Sequence, residues 1–175
     1  MFLNSNNKIN LTLCGMMGSG KSLIGKKLAK EINFSFVDTD KLIEEERGKS
    51  INKIFKEDGE EYFRKLEEKI TLNILQKKKY VIALGGGSVE NDRIRNFIKN
   101  NSYNIYLDVN IKILIKRLKN SKNRPLLHNK DIYKTLAEML KKRKKFYNEA
   151  DLIIKDKINI NEIINNIKKK LKDYG

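Results

Sequence analysis

Gly15-Met16-Met17-Gly18-Ser19-Gly20-Lys21-Ser22 fits G-x-x-x-x-G-K-[ST], the pattern of a phosphate-cradling loop. Its neighbours matter as much as its letters. Before it, Ile9-Asn10-Leu11-Thr12-Leu13-Cys14 is a short apolar run with alternation, which reads as a buried strand. After it, Leu23 to Lys30 carries apolar residues at helical spacing. A strand, a glycine loop and a helix start are the context the pattern requires. Gly15, Gly18, Ser19 and Gly20 allow a tight turn whose N–H groups point inward. The helix N-terminus adds partial positive charge. Lys21 is a point charge for β- and γ-phosphates, and the Ser22 hydroxyl suits magnesium.

A chain of 175 residues suggests one domain over residues 1–175, large enough for a substantial core. The net charge is +16, from 38 Lys+Arg against 22 Asp+Glu. The excess is spread, with clusters at Lys77–Lys79, Lys141–Lys145 and Lys168–Lys172. Together with abundant Asn and Ile, one Pro and no Trp, it reads as a compositional bias giving a generally basic surface, not a dedicated nucleic-acid site. A single cysteine, Cys14, excludes an intrachain disulfide and a cysteine zinc cluster, and its place in an apolar run marks a buried structural thiol. A single histidine, His128, excludes a multi-histidine metal site. The polar stretch 1–7 lacks the features of a signal peptide, and no run of eighteen apolar residues exists. The expectation is a cytoplasmic monomer with neither membrane nor nucleic acid as partner.

Along the chain strands and helices alternate. Strands are expected near 9–14, 34–37, 80–84, 103–107 and 152–154, and helices near 21–32, 41–47, 60–77, 90–100, 111–119, 131–148 and 160–172. Ser50 can cap a helix bearing Ile51, Ile54 and Phe55 on one face, which Gly59 breaks. Ser121 to Lys130, with Pro125, reads as a loop. Repeated β–α units with apolar strands indicate an α/β fold with a parallel sheet covered by helices on both faces. Ligands bind beyond the carboxyl ends of such strands. Gly15–Ser22, Asp38–Asp40 and Gly85–Gly87 each follow an expected strand and should meet on one rim.

Asp38 and Asp40 stand two apart at a strand end, so both side chains share a face if the chain is still extended there. One can orient a metal and the other accept a proton from the hydroxyl being phosphorylated. A helix cap also suits an aspartate, and it accounts for one of them better than for two. Gly85-Gly86-Gly87 permits close backbone approach to a ligand. Arg64 could pair with a neighbouring Glu on its helix, and Arg143, among four lysines, reads by itself as part of a solvated basic face. Arg124, before Pro125, could bring charge onto a transferring phosphoryl group from a mobile loop, or be an ordinary loop cation. His128 beside it is incidental, since phosphoryl transfer to a hydroxyl needs no imidazole.

Taken together, these pieces resemble shikimate kinase over about residues 9–155. The resemblance rests on Gly15–Ser22, Asp38-Thr39-Asp40, Phe55 with Gly59-Glu60 and Phe63-Arg64, Gly85–Gly87, Arg124-Pro125-Leu126-Leu127, and Arg143 with Tyr147 and Ala150-Asp151. It implies ATP-dependent phosphorylation of the 3-hydroxyl of shikimate. It also implies a P-loop, nucleoside-monophosphate-kinase-like fold with a five-stranded parallel sheet in the order 2-3-1-4-5. A lid would lie at about 121–131 and substrate-binding helices at about 41–70. By resemblance Asp40 is the base and contacts ring hydroxyls, and Lys21 and Arg124 serve the phosphoryl group. Ser22 holds one Mg2+ directly and Asp38 does so through water. Arg64 and Arg143 grip the carboxylate, and Gly85, Gly86 and Gly87 offer N–H groups. Phe55 and Phe63 line the ring pocket, and Arg117 lies against the adenine. A planar carboxylate suits arginine better than lysine, which gives Arg64 and Arg143 a reason to be arginine in lysine-rich surroundings.

Position 23 departs from the family, with Leu23 where a hydroxyl residue is usual; Ser22 keeps the metal-binding hydroxyl. The alternatives are another small-molecule kinase of this fold, such as a gluconate or nucleoside monophosphate kinase, and a non-catalytic protein that kept the loop. Asp-Thr-Asp and Phe-Arg argue against the first. The presence of Asp40, Arg64 and Arg124 argues against the second.

Overall fold

The computed structural model describes residues 8, 10–119, 131–155 and 159–174. Five strands, β1 (Asn10–Cys14), β2 (Ser35–Asp38), β3 (Tyr80–Ala83), β4 (Ser102–Asp108) and β5 (Leu152–Lys155), form one sheet in the order β2-β3-β1-β4-β5. Every pairing is parallel, with Leu13 opposite Ala83 on one side and Ile105 on the other. The order matches the expectation. The helices are α1 (Lys21–Ile32), α2 (Thr39–Arg47), α3 (Ile51–Glu57), α4 (Gly59–Leu75), α5 (Asp92–Asn101), α6 (Ile111–Leu118), α7 (Ile132–Tyr147) and α8 (Ile160–Tyr174).

β1 is buried at all five positions, as a central parallel strand covered on both faces must be. One face packs Leu11, Leu13 and Ile105 with Ile24 and Leu28 of α1 and Ile164 and Ile167 of α8. The opposite face packs Ile82 and Tyr106 with Ile74, Ile94, Leu114 and Tyr147 of α4 to α7. A third, small cluster of Ile43, Ile54, Phe63, Leu66 and Ile70 joins α2, α3 and α4. Among the described residues no helix is long and apolar enough to cross a membrane.

Side chains pin the strand ends. Asn10 donates Nδ2 to the Leu75 and Lys77 carbonyls and accepts from Tyr80 N, so β3 starts level with β1. Asp151, just before β5, accepts from Asn104 N at 2.8 Å and from Lys8 at 2.5 Å. Ser50 caps α3 as expected, accepting from Lys53 N. The expected helix near 90–100 instead begins as a 3-10 turn at Ser88–Glu90, and α5 starts anew under the Asn91 cap. The three strand-end segments Gly15–Ser22, Asp38–Asp40 and Gly85–Gly87 follow neighbouring strands and do share one rim.

Candidate active site

Gly15 leaves β1 at φ 138°, and a Cβ there would lie 2.8 Å from the Leu107 carbonyl oxygen. Only glycine serves at such a point. Gly20 caps α1 without a side-chain hydrogen bond, so the first-turn N–H groups are left to a ligand. Lys21 curls over the loop, donating Nζ to Gly15 O at 2.8 Å and Met16 O at 3.1 Å. Ser22 donates its hydroxyl to Asp38 Oδ2. Arg117 of α6 donates to Gly18 O at 2.8 Å from the other side of the loop. Cys14, at the end of β1, is buried and its thiol is pushed up to about 12 by loss of solvation, only partly offset by Lys21. It is a structural thiol, not a nucleophile.

The two aspartates do not share a face of an extended strand. Asp38 ends β2 and caps α2, its Oδ1 accepting from Asp40 N at 3.1 Å, so the chain is already helical at Asp40. That capping bond turns the strand into a helix and gives the two carboxylates different places. Asp38 faces Ser22, while Asp40 stands over Gly85, where a Cβ would be 2.7 Å from Asp40 Oδ1 and 2.5 Å from Glu67 Oε1. Thr39 between them is a fastener: its hydroxyl accepts from Gly85 N at 2.9 Å and donates to Ala83 O at 3.4 Å. Gly85 therefore serves by being small, its N–H being taken by Thr39. Gly86 and Gly87 line the cavity.

Arg64 and Glu67 sit three apart on α4, facing the triple glycine. Arg64 Nη1 donates to Glu67 Oε2 at 2.7 Å, and its Nε and Nη2 donate to Glu60 Oε1 at 3.3 and 3.0 Å. Burial disfavours the charge on Arg64, but Glu67 and Glu60 outweigh it and raise its pKa further above the ordinary value. Glu67 is buried, and its other oxygen accepts from Ser88 Oγ at 2.7 Å. The helix pairing foreseen for Arg64 thus exists alongside its place in the cavity.

The solvated-face reading of Arg143 is overturned. Lys141, Lys142, Lys144 and Lys145 are exposed, whereas Arg143 is 4% exposed and shares an inward face of α7 with Tyr147, four residues on. Tyr147 donates its hydroxyl to Gly86 O at 2.6 Å, seating α7 on the glycine turn. Burial pushes the Tyr147 phenol well above its ordinary value, so it remains a donor. Arg143 Nε donates to Glu90 Oε1 at 2.7 Å. Phe55 and Phe63 meet with centroids 4.7 Å apart.

One cavity of about 770 Å³ joins these parts, running from Lys21 and Ser22 past Asp38 and Asp40 to Phe55, Phe63, Arg64 and Arg143. It has the size of a site for small molecules. Arg124, His128 and all but the last residue of the lid expected at about 121–131 lie outside the described residues. Sequence reasoning missed Thr39, Glu67, Ser88 and Glu90. Glu67 was within reach, as a glutamate one helical turn after Arg64.

The shikimate kinase family model matches residues 17–172. A shikimate kinase of Sulfurihydrogenibium sp. is 41% identical over 164 residues, covering 93% of this chain and 98% of that one. The solved shikimate kinase of Acinetobacter baumannii, in complex with shikimate, has a TM-score of 0.92 at 30% identity over 96% of this chain and 95% of that one. A gluconokinase of Sinorhizobium meliloti has a TM-score of 0.58 at 13% identity over 97% and 94% of the two chains, a likeness of fold alone. By sequence over nearly its whole length and by the parallel P-loop fold, this chain belongs to the shikimate kinase family.

Proposed function

We propose that this chain transfers the γ-phosphoryl group of ATP to the 3-hydroxyl of shikimate, forming shikimate 3-phosphate on the route to chorismate and the aromatic amino acids. The observation that carries the reading is one cavity with a phosphate loop at one end and two buried or half-buried arginines beside a pair of carboxylates at the other. In this reading residues 1–175 act as one domain in the cytoplasm, as a monomer, with ATP and shikimate as the ligands.

At the donor end Gly15, Gly18, Ser19 and Gly20 cradle the phosphates, Lys21 neutralises β- and γ-oxygens, and Arg117 lies against the adenine. Arg124, outside the described residues, adds charge at the transferring group from the lid at about 121–131. Ser22 and Asp38 offer two hard oxygens side by side. Among the described residues no group of three or more His, Cys, Asp or Glu is placed to hold a metal ion by itself. That donor set fits one Mg2+ that takes its remaining oxygens from phosphates and water, Ser22 directly and Asp38 through water. When bound, the ion neutralises charge on the triphosphate.

At the acceptor end Arg64 and Arg143 bind the carboxylate, and Phe55 and Phe63 wall the ring. The glycine turn 85–87 contributes N–H groups from Gly86 and Gly87, with Gly85 giving room. The helices at about 41–70 cover this end. Asp40 orients the hydroxyl and takes its proton as the new P–O bond forms. It stands in the first turn of α2 and lines the cavity, within reach of a bound hydroxyl.

A coupled ADP-release assay offering shikimate, gluconate and nucleoside monophosphates in parallel tests the reading. Release with shikimate alone is expected. Turnover of gluconate at an equal or greater rate would transfer the assignment to the runner-up.

A further inference from the structure

We propose that Glu90 is a positioning residue for the acceptor: it takes the Nε edge of Arg143 and thereby turns the Nη1–Nη2 end of that guanidinium into the reaction cavity. The proposal rests on the reading that Arg143 receives the acceptor's carboxylate. A guanidinium presents five N–H donors in a rigid planar fork, so fixing one edge fixes where the others point. Glu90 Oε1 accepts from Arg143 Nε at 2.7 Å. At the far end Nη1 lies 3.8 Å from where a Cβ on Gly86 would stand, and Gly86 lines the reaction cavity.

Glu90 itself does not line that cavity. It lines a neighbouring one of about 650 Å³, beyond the wall made by Arg64, Glu67, Gly87 and Arg143. Its carboxylate therefore acts on the acceptor through Arg143. Its second oxygen, Oε2, is taken by Lys142 Nζ at 2.5 Å, so the carboxylate is tied on both sides and does not compete for the cavity end of Arg143.

The mount is rigid as well. Glu90 N donates to Gly87 O at 2.9 Å, and Arg95 donates to Val89 O at 2.6 Å. The Arg95 guanidinium also lies 4.0 Å from the centroid of the Phe146 ring on α7, the helix that carries Arg143. The turn holding Glu90 and the helix holding Arg143 are thus fastened together by contacts independent of the Glu90–Arg143 bond. Losing that bond would free the guanidinium without displacing the helix.

The test is steady-state kinetics for both substrates on E90A and E90Q, alone and combined with R143A. E90A is expected to raise the shikimate KM about tenfold, the size of one lost charge-assisted hydrogen bond, with the ATP KM unmoved. E90Q, whose amide oxygen can still accept from Nε, recovers part of this and settles near a threefold rise. In the R143A background either change at position 90 has no further effect. An unchanged shikimate KM in E90Q, an equal rise in the ATP KM, or the same rise with R143A present overturns the proposal. E90Q keeps the test decisive if E90A does not fold. R143A separates the two levels: if it alone leaves the shikimate KM unchanged, the carboxylate reading of Arg143 fails. If it raises that KM while the position-90 variants do not, only the positioning role of Glu90 fails.

Discussion

Arg64 donates Nη1 to Glu67 Oε2 at 2.7 Å, and Glu67 returns the other half of its carboxylate to Ser88, so one buried anion ties α4 to the turn after β3. The guanidinium is thereby held against Gly87, where a Cβ would come within 2.6 Å of Nη1.

Removing that anion has a double cost. Glu67→Ala leaves Ser88 Oγ and Arg64 Nη1 without their acceptor, at a loss of about 2 kcal/mol. That corresponds to a fall in Tm of roughly 4–8 °C, read by thermal unfolding. The shikimate KM should rise about tenfold while the ATP KM holds. A drop in Tm with no change in shikimate KM would confine Glu67 to structure.

Glu60 acts in the opposite sense on the same arginine. It occupies the Nε–Nη2 edge of Arg64, the edge an acceptor carboxylate would need for bidentate binding, and its side chain is 56% exposed. An exposed pair at this spacing contributes only about 0.3–0.5 kcal/mol. Glu60→Gln should therefore lower the shikimate KM by about twofold. A rise would mean that Glu60 orients Arg64 instead of competing for it.

Asp40→Asn should reduce kcat by at least about a hundredfold, the lower end of what a positioned proton acceptor contributes. ATP affinity measured by calorimetry should be unchanged, because the loop from Gly15 to Ser22 is untouched. Near-normal kcat would remove Asp40 from the proton-transfer role.

Acid should report on Glu90. Burial alone would raise its pKa, but hydrogen bonds from Lys142 and Arg143 outweigh it and hold the carboxyl below its ordinary value near 4.5. A lowered folded-state pKa contributes stability above the ordinary value, and that contribution is lost as pH falls through the lowered one. The difference in Tm between the wild-type chain and Glu90→Gln should be constant from pH 7 down to about 5 and shrink below about 4. A gap that stayed constant to pH 3 would refute the ion-pair origin of the shift.

The α/β class, the parallel sheet and the phosphate loop were legible because each rests on short-range pattern: apolar runs, helical periodicity and glycine at fixed offsets. The strand order came from the family resemblance, since nothing local says which strands pair. The limits of that legibility are clear at three residues. Asp38 and Asp40 were readable as a pair and a helix cap was foreseen for one of them, but not that Asp38 is the cap and Asp40 already helical, since the deciding bond runs from Asp40 N to Asp38 itself and alters the local backbone. Arg143 looked like one cation among five, because nothing in Lys141–Lys145 says which face of the helix turns inward; Tyr147, four residues later and bonded to Gly86, decides it. Thr39 was hidden because its partners, Gly85 and Ala83, lie more than forty residues away.

By itself the sequence determined which chemical groups are present: a phosphate cradle, an acidic pair, a triple glycine and two arginines among lysines. Local pattern also determined that the first three follow strands of one parallel sheet. Only the tertiary structure decided how those groups are divided. It gave Glu67 to Ser88, Glu90 to Arg143 and Thr39 to Gly85. The reason is physical: a buried charge or amide must find its partner among whatever the packing of other elements brings within hydrogen-bond reach.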